Sequence, residues 1–242
     1  MLKALLLDLD ETLLINPMGR FIPAYFQALT RFLAGHVPAE TLIAELLAGT
    51  RAMDGNDGGG ATNEEAFAAH FYPAVGVARE VLEPEFRRFY AEAFPTLRAL
   101  TRPHPEARPL VEWAFAAGLQ VAIATNPLFP LAAIEERLRW AGVPVSEFPY
   151  DLITAFESMH ATKSHPAYYR EVLERLGRVP GECLMAGDDW AWDIVPAAAL
   201  GIRTFWIGEP EAVPREPGVV LDGAGPLGEL RRLAVAGALT GS

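Results

Sequence analysis

The sequence predicts an α/β fold with a parallel sheet, interrupted early by an all-helical block. Three observations carry this. The first is Leu2 to Leu14, LKALLLDLDETLL, an apolar run with no polar alternation that ends in two carboxylates. Such a run suits a strand buried on both faces. The second is an alternation of helix-like and strand-like segments between about residues 102 and 207. It implies parallel pairing through right-handed crossovers, with helices on both faces of the sheet. The third is the stretch between, where helical spacing recurs and no strand pattern appears from Asn16 to about Leu100. Together they describe a Rossmann-like, three-layer α/β/α core with a helical domain inserted after its first strand.

The elements follow in order. After the first strand, Asn16, Pro17 and Gly19 make a loop. Apolar residues then recur at helical spacing over Ala24 to Leu33 and over Ala39 to Leu47. The segment DGNDGGG, residues 54–60, is too rich in glycine to be regular and reads as a flexible surface loop or hinge. It follows no strand and lacks the Gly-Lys-Ser/Thr ending of a phosphate-cradling loop. Thr62 and Glu65 have capping-box spacing and open a helix through Phe67 and Phe71. Another helix follows Leu82. From there helices are expected over Pro105 to Ala117, Leu131 to Ala141, Pro166 to Leu176 and Ile194 to Leu200. They alternate with strands over Leu119 to Ala124, Asp151 to Ala155, Cys183 to Ala186 and Arg203 to Ile207, giving five strands in all. The tail holds a short apolar run, Val219 to Leu221, and a helix through Leu227, Leu230 and Leu233.

Of the 242 residues 51% are hydrophobic and 21% charged, enough to bury a large core and too apolar for disorder. No apolar run approaches the roughly 20 residues that span a bilayer. No secretory signal is evident at the N-terminus, and the single cysteine, Cys183, fits a reducing, cytoplasmic setting. It lies in an apolar run and reads as a small core residue. A net charge of −11 disfavours nucleic acid and anionic membranes as partners. It also disfavours an anionic substrate unless local cations reverse the field.

Four strand ends carry chemistry, and open parallel sheets bind ligands at that edge. The first strand delivers Asp8 and Asp10, with Thr12 two places on; the second delivers Thr125 and Asn126. The loop after the third holds Lys163, and the fourth delivers Asp188, Asp189 and Asp193. Asp-x-Asp-x-Thr alone also serves as a turn or helix cap after any strand. Two adjacent acids repel each other, and a metal cation is the simplest partner that makes the arrangement favourable.

The set and its order resemble the haloacid dehalogenase-like superfamily of phosphohydrolases. Asp8, Asp10 and Thr12 match its first motif, and VAIATN with Thr125 its second. Lys163 matches the third, and Gly187-Asp188 with Asp193 the fourth. One departure is the third motif: Ser164-His165-Pro166 follows Lys163 where many relatives carry Lys-Pro-x-Pro. The resemblance implies a core of residues 1–16 and 98–242 and a helical cap of residues 17–97. It implies Asp8 as nucleophile, forming an aspartyl-phosphate, and Asp10 as general acid and then base. Mg²⁺ prefers hard oxygen ligands, and the implied set is Asp8, the Asp10 backbone carbonyl and Asp188. Thr12, Asp189 and Asp193 would support that set, the latter two by orienting waters and Lys163. Thr125, the Asn126 N–H and Lys163 would hold the transferring phosphoryl oxygens.

The implied activity is Mg²⁺-dependent hydrolysis of a small phosphorylated metabolite, by a monomer or homodimer. A phosphomutase of the same superfamily also needs both acids of the first motif. A third possibility is a non-catalytic regulatory protein that retains the fold. Dehalogenases of the superfamily lack the second acid, so Asp10 argues against that activity. An ion-pumping relative would need membrane helices.

Overall fold

The computed structural model describes residues 1–214 and 216–238. Its centre is β1 (Ala4–Leu7), buried along its whole length. Leu5 and Leu7 belong to the apolar cluster on one face of the sheet, Ala4 and Leu6 to the cluster on the other. That alternation is why the run carries no polar residue: a strand buried on both faces has no solvent side to mark.

Chain order from β1 passes through β2 (Leu14–Ile15) into four helices: α1 (Met18–Phe32), α2 (Ala39–Asp54), α3 (Asn63–Val75) and α4 (Arg79–Glu92). A 3₁₀ segment, Phe94–Leu100, leads to β3 (Arg102–Pro103), which pairs antiparallel with β2. The two crossings between sheet and helical block therefore run side by side. The alternating half follows as α5 (Ala107–Ala116), β4 (Gln120–Ile123), α6 (Leu131–Trp140), β5 (Leu152–Ile153) and α7 (Pro166–Leu176). Then come β6 (Cys183–Gly187), α8 (Val195–Ala199), β7 (Arg203–Ile207), β8 (Gly223–Gly225) and α9 (Leu227–Val235). The six-stranded sheet has the order β5-β4-β1-β6-β7-β8, every pair parallel. The chain leaves β1 toward β4 and β5 and returns on its other side as β6. That reversal opens a crevice at the carboxyl end of β1, where doubly wound sheets bind ligands.

Two expectations need correction. The sheet has six strands, and the sixth is Gly223–Gly225 rather than the apolar run before it. A Cβ on Gly223 would come within 2.7 Å of the Phe205 ring, so this strand fits beside β7 only with glycine at that position. The composition that fits it there is also the composition that reads as a turn. The glycine-rich segment is exposed but tied down. Asp57 bridges Ala161, and the Asn63 side-chain amide donates to the Ala161 carbonyl at 3.1 Å. Gly58 has φ +90°, and a Cβ there would meet the Ala167 Cβ at 2.9 Å. Glycine is needed there for both its backbone angle and close approach to α7.

The capping box forms as the spacing predicts. Thr62 Oγ1 accepts from the Glu65 N–H at 3.1 Å, and Glu65 accepts from the Thr62 N–H at 2.8 Å. Helices α1 and α2 extend beyond the apolar patches that signal them, to Met18 and to Asp54. The aromatic side chains of α1 join the same cluster as the sheet: Phe21 packs edge-on to Phe94 and Trp140, and Trp140 stacks on Phe94 at 5.3 Å.

Candidate active site

At the end of β1 the chain leaves the sheet sharply. The Asp8 N–H still donates to the Ala186 carbonyl of β6 at 2.9 Å. Glu11 then takes φ +59°, the one non-glycine residue in the left-handed region among the described residues. The turn closes when the Glu11 N–H donates to the Leu14 carbonyl at 2.7 Å. Asp8 and Asp10 thus stand on a tight, strained loop at the crevice.

Lys163 joins the strand ends. Its ammonium donates to Asp8 Oδ1 and to Asp193 Oδ1, both at 2.6 Å. All three side chains are buried. Its backbone N–H donates to Asn126 Oδ1 at 3.2 Å, which ties the loop after β5 to the end of β4. The Thr125 carbonyl accepts from the Thr154 hydroxyl at 2.7 Å and the Tyr168 hydroxyl at 3.0 Å. The Asn126 N–H has no acceptor among the described residues.

Asp8, Asp188 and Asp193 present oxygens that all lie within 4.8 Å of one another. Three carboxylates and one ammonium leave two negative charges unbalanced if all are ionised. Burial pushes Asp8 well above the ordinary carboxylate range; Asp193 and Asp188 add to this, while Lys163 opposes it. Asp188 is pushed up to about 7, by burial first and the Asp193 charge second. Burial works against the Lys163 ammonium too, but Asp193 and Asp8 outweigh it and hold its pKa well above the ordinary value. A divalent cation would cancel the excess, and hard oxygen donors at this spacing suit one. Gly187 makes the cluster possible: a Cβ there would lie 2.1 Å from Asp193 Oδ2.

The other sequence-selected residues divide. Thr12 Oγ1 reaches Asp188 Oδ1 at 3.4 Å. Asp193, expected in a supporting place, contacts Lys163 and lies close to Asp8 and Asp188. The Asp189 carboxylate lies outside this cluster. It accepts from the Ala191 and Trp192 N–H groups at 2.9 and 3.0 Å, capping the π-helical turn Trp190–Ile194. His165 caps α7, its Nδ1 accepting from the Ala167 N–H at 3.1 Å. The Asp10 carboxylate also turns aside. It accepts from Asn16 Nδ2 at 2.7 Å and pairs with the Arg137 guanidinium.

Arg137 is the residue that sequence reasoning missed. It is 1% exposed, with its guanidinium carbon 4.7 Å from the Phe129 ring centroid. A signal existed: Arg137 falls on the same face of α6 as Ala133, Ile134, Leu138 and Trp140, all buried. A cation on a buried helical face requires an acid partner. Arg137 Nη2 and Asn16 Oδ1 are buried without a hydrogen-bond partner among the described residues.

A parallel sheet with an acid cluster and a buried lysine at its topological switch point defines a hydrolase-type α/β site, and the comparisons agree. The family model of the haloacid dehalogenase-like hydrolases matches residues 2–201, and the chain belongs to that family. It is 30% identical to a phosphoserine phosphatase of Thermus thermophilus, over 88% of this chain and 94% of that protein. It is 29% identical to phosphatase MT3486 of Mycobacterium tuberculosis, over 53% of this chain and 60% of that protein. Among solved structures, a HAD phosphatase of Thermococcus onnurineus superposes with a TM-score of 0.58 at 23% identity, covering 96% of this chain and 97% of that one. The L-2-haloacid dehalogenase of Xanthobacter autotrophicus superposes with a TM-score of 0.57 at 20% identity, covering 97% and 99%. These structural likenesses establish the shared fold.

Proposed function

We propose that the chain hydrolyses a small phosphomonoester, with Asp8 as the nucleophile and a divalent cation, Mg²⁺, held by Asp8, Asp188 and the Asp10 backbone carbonyl. The observation that carries this is the placement of Asp8. Lys163 takes up one of its oxygens and fixes the carboxylate at the switch point, leaving the other to attack phosphorus. The curated relatives are both phosphatases, which supports this reading over dehalogenation.

The cation supplies charge for the phosphoryl oxygens and counters the repulsion among the carboxylates. The chain's own residues do the rest. Asp8 forms a bond to phosphorus as the bond to the leaving oxygen breaks, giving an acyl phosphate. Asp10, once its carboxylate turns from Asn16 and Arg137 toward the leaving oxygen, donates the proton that oxygen takes up, then accepts one from the water whose attack on phosphorus breaks the bond to Asp8. Lys163, Thr125 and the free Asn126 N–H hold the equatorial oxygens where charge gathers. Asp193 orients Lys163, through the 2.6 Å contact between them. Thr12 steadies Asp188. Helices α1 to α4, within residues 17–97, serve as a cap over a core of residues 1–16 and 98–242, excluding water and choosing the substrate.

The test is turnover of p-nitrophenyl phosphate in Mg²⁺, followed by a panel of sugar phosphates, nucleotides, phosphoglycolate and phosphoserine. Activity with at least one phosphomonoester, lost in excess chelator and regained with Mg²⁺, is the expected result. Activity unchanged by chelation overturns the metal-centred account. Vanadate should likewise bind only when the metal is present.

A further inference from the structure

Asp188 and Asp193 enter the acid cluster from one short turn, and a single peptide unit links them. The Asp188 carbonyl accepts from the Trp206 indole N–H at 2.8 Å. The Asp189 N–H, on the other side of the same peptide, donates to Asp193 Oδ2 at 3.0 Å. A peptide unit is planar and stiff, so these two bonds hold it from both sides. Asp188 Oδ1 accepts from the Thr12 hydroxyl at 3.4 Å, and the second oxygen of Asp193 accepts from Lys163 at 2.6 Å. The orientation of one peptide plane therefore sets where two of the three clustered carboxylates stand.

Trp206 has no part in the chemistry described so far. It lies on β7, in register with Gly187 of β6, the residue before Asp188. Its indole needs to reach only one residue past its strand partner. An indole N–H is a donor only, and in a partly buried place it seeks an acceptor. The Asp188 carbonyl is that acceptor.

The surroundings confine the ring to this position. A Cβ on Gly208 would lie 2.6 Å from the indole Cη2 and Cζ2. Gly208 is not among the glycines with left-handed backbone, so space rather than backbone angle calls for glycine here. Its N–H donates to the Gly225 carbonyl at 3.2 Å, which holds this stretch against β8 while the ring lies over it. Trp190 packs edge-on to Trp206, with ring centroids 6.2 Å apart and an interplanar angle of 87°. The Trp190 N–H is donated to Glu216 at 2.8 Å and does not compete for the Asp188 carbonyl.

The consequence falls on the cation. Asp8, Asp188 and Asp193 present oxygens within 4.8 Å of one another, and Mg²⁺ tolerates little departure from octahedral geometry. A turn of the peptide between Asp188 and Asp189 would move both carboxylates at once. We propose that Trp206 is a positioning residue of the acid cluster: its indole N–H, seated over Gly208, fixes this peptide plane and so spaces Asp188 and Asp193 for Mg²⁺. The inference rests on the divalent-cation reading of the cluster.

The test is calorimetric titration of the full chain with Mg²⁺ alone, well below the melting temperature. Trp206→Phe keeps an aromatic ring and removes the N–H. It should weaken Mg²⁺ binding roughly tenfold, the low end for groups that orient metal ligands. Gly208→Ala keeps the indole and drives it off the carbonyl, and should weaken binding by about as much. The two act through one contact, and phenylalanine lacks the indole atoms that the added methyl would strike. The double variant should therefore bind within about twofold of Trp206→Phe. A merely structural role would lower the melting temperature and leave Mg²⁺ affinity at the parent value. Unchanged affinity in either folded single variant overturns the proposal, and so do additive losses in the double variant. Should Trp206→Phe fail to fold, Gly208→Ala decides alone. A parent chain that binds no Mg²⁺ overturns the metal reading itself, and this inference with it; a parent that binds Mg²⁺ beside unaffected variants overturns this inference only.

Discussion

The carboxyl end of β1 and β6 and a cavity over β4 and β5 lie at the same edge of one sheet, yet they are opposite environments. At the first, Asp8, Asp188, Asp193 and Lys163 crowd together and their charges must be balanced. At the second, aromatic rings from three helices and two loops, with aliphatic side chains of α2, surround a mainly apolar space. Specificity is stored differently in the two. Phosphoryl chemistry needs particular atoms at particular strand ends, and one substitution removes it. Shape recognition is spread over many side chains, and one substitution only reshapes it. Phe129 joins the two regions: it lines the cavity, and the Arg137 guanidinium that pairs with Asp10 lies against its ring.

Asp8→Asn acts most strongly on the first region alone. Turnover of p-nitrophenyl phosphate should fall by about 10⁴-fold or more, as when a nucleophile is removed elsewhere. Turnover kept within about tenfold of the parent would remove Asp8 as the nucleophile.

Arg137→Met probes the join. It leaves the Asp10 carboxylate held by Asn16 alone. Acid catalysis is worth about 10²–10⁴-fold where the leaving group needs a proton. Turnover of an alkyl phosphate should therefore fall roughly tenfold or more, and turnover of p-nitrophenyl phosphate, with its better leaving group, much less. Equal losses on the two substrates would assign Arg137 to folding alone. Unfolding of this variant by denaturant, compared with Arg137→Lys, measures that structural share.

The pH dependence of the metal-free protein sharpens the electrostatic side. Asp188 titrates near 7 in the folded chain, against an ordinary value of 3.8. The folded state holds this proton more tightly than the unfolded state. Its contribution to stability is therefore complete below about pH 4 and lost as pH rises through about 7. The melting temperature without metal should fall across that window, and Mg²⁺ should restore it at neutral pH while releasing protons. A melting temperature in chelator that rises steadily from pH 5 to pH 7.5 would contradict this.

The smallest expected effect lies in the inserted block. Thr62→Ala removes one half of the capping box of α3 and should cost about 1 kcal/mol in stability. Phosphatase activity should be nearly unchanged below the melting temperature. A large loss of activity would show that the docking of Asn63 on the Pro127 and Ala161 carbonyls depends on this cap.

How much was legible in the sequence follows the same division. The strand ends were legible because backbone geometry forces buried parallel strands to be apolar and to deliver their last residues to one edge. Lys163 was reached through the family's motif order, since nothing local distinguishes a buried lysine from a solvated one. Asp189 looked like its neighbour Asp188, and only the hydrogen bonds of the following turn separate a capping carboxylate from a site carboxylate. Arg137 is 127 residues from Asp10, so no local pattern pairs them. The strand Gly223–Gly225 escaped because its reason lies in the Phe205 ring beside it. The cavity escaped for the same reason at larger scale: helical spacing marks which residues of α1 to α4 turn inward, but not whether they meet.

The most direct test of the central claim is to quench the protein during turnover of a radiolabelled phosphomonoester and map the label. The account predicts phosphate on the peptide that contains Asp8, labile to hydroxylamine as an acyl phosphate is, and absent from Asp8→Asn. Active protein that carries no covalent phosphate, or carries it on the peptide that contains Asp188, would contradict it.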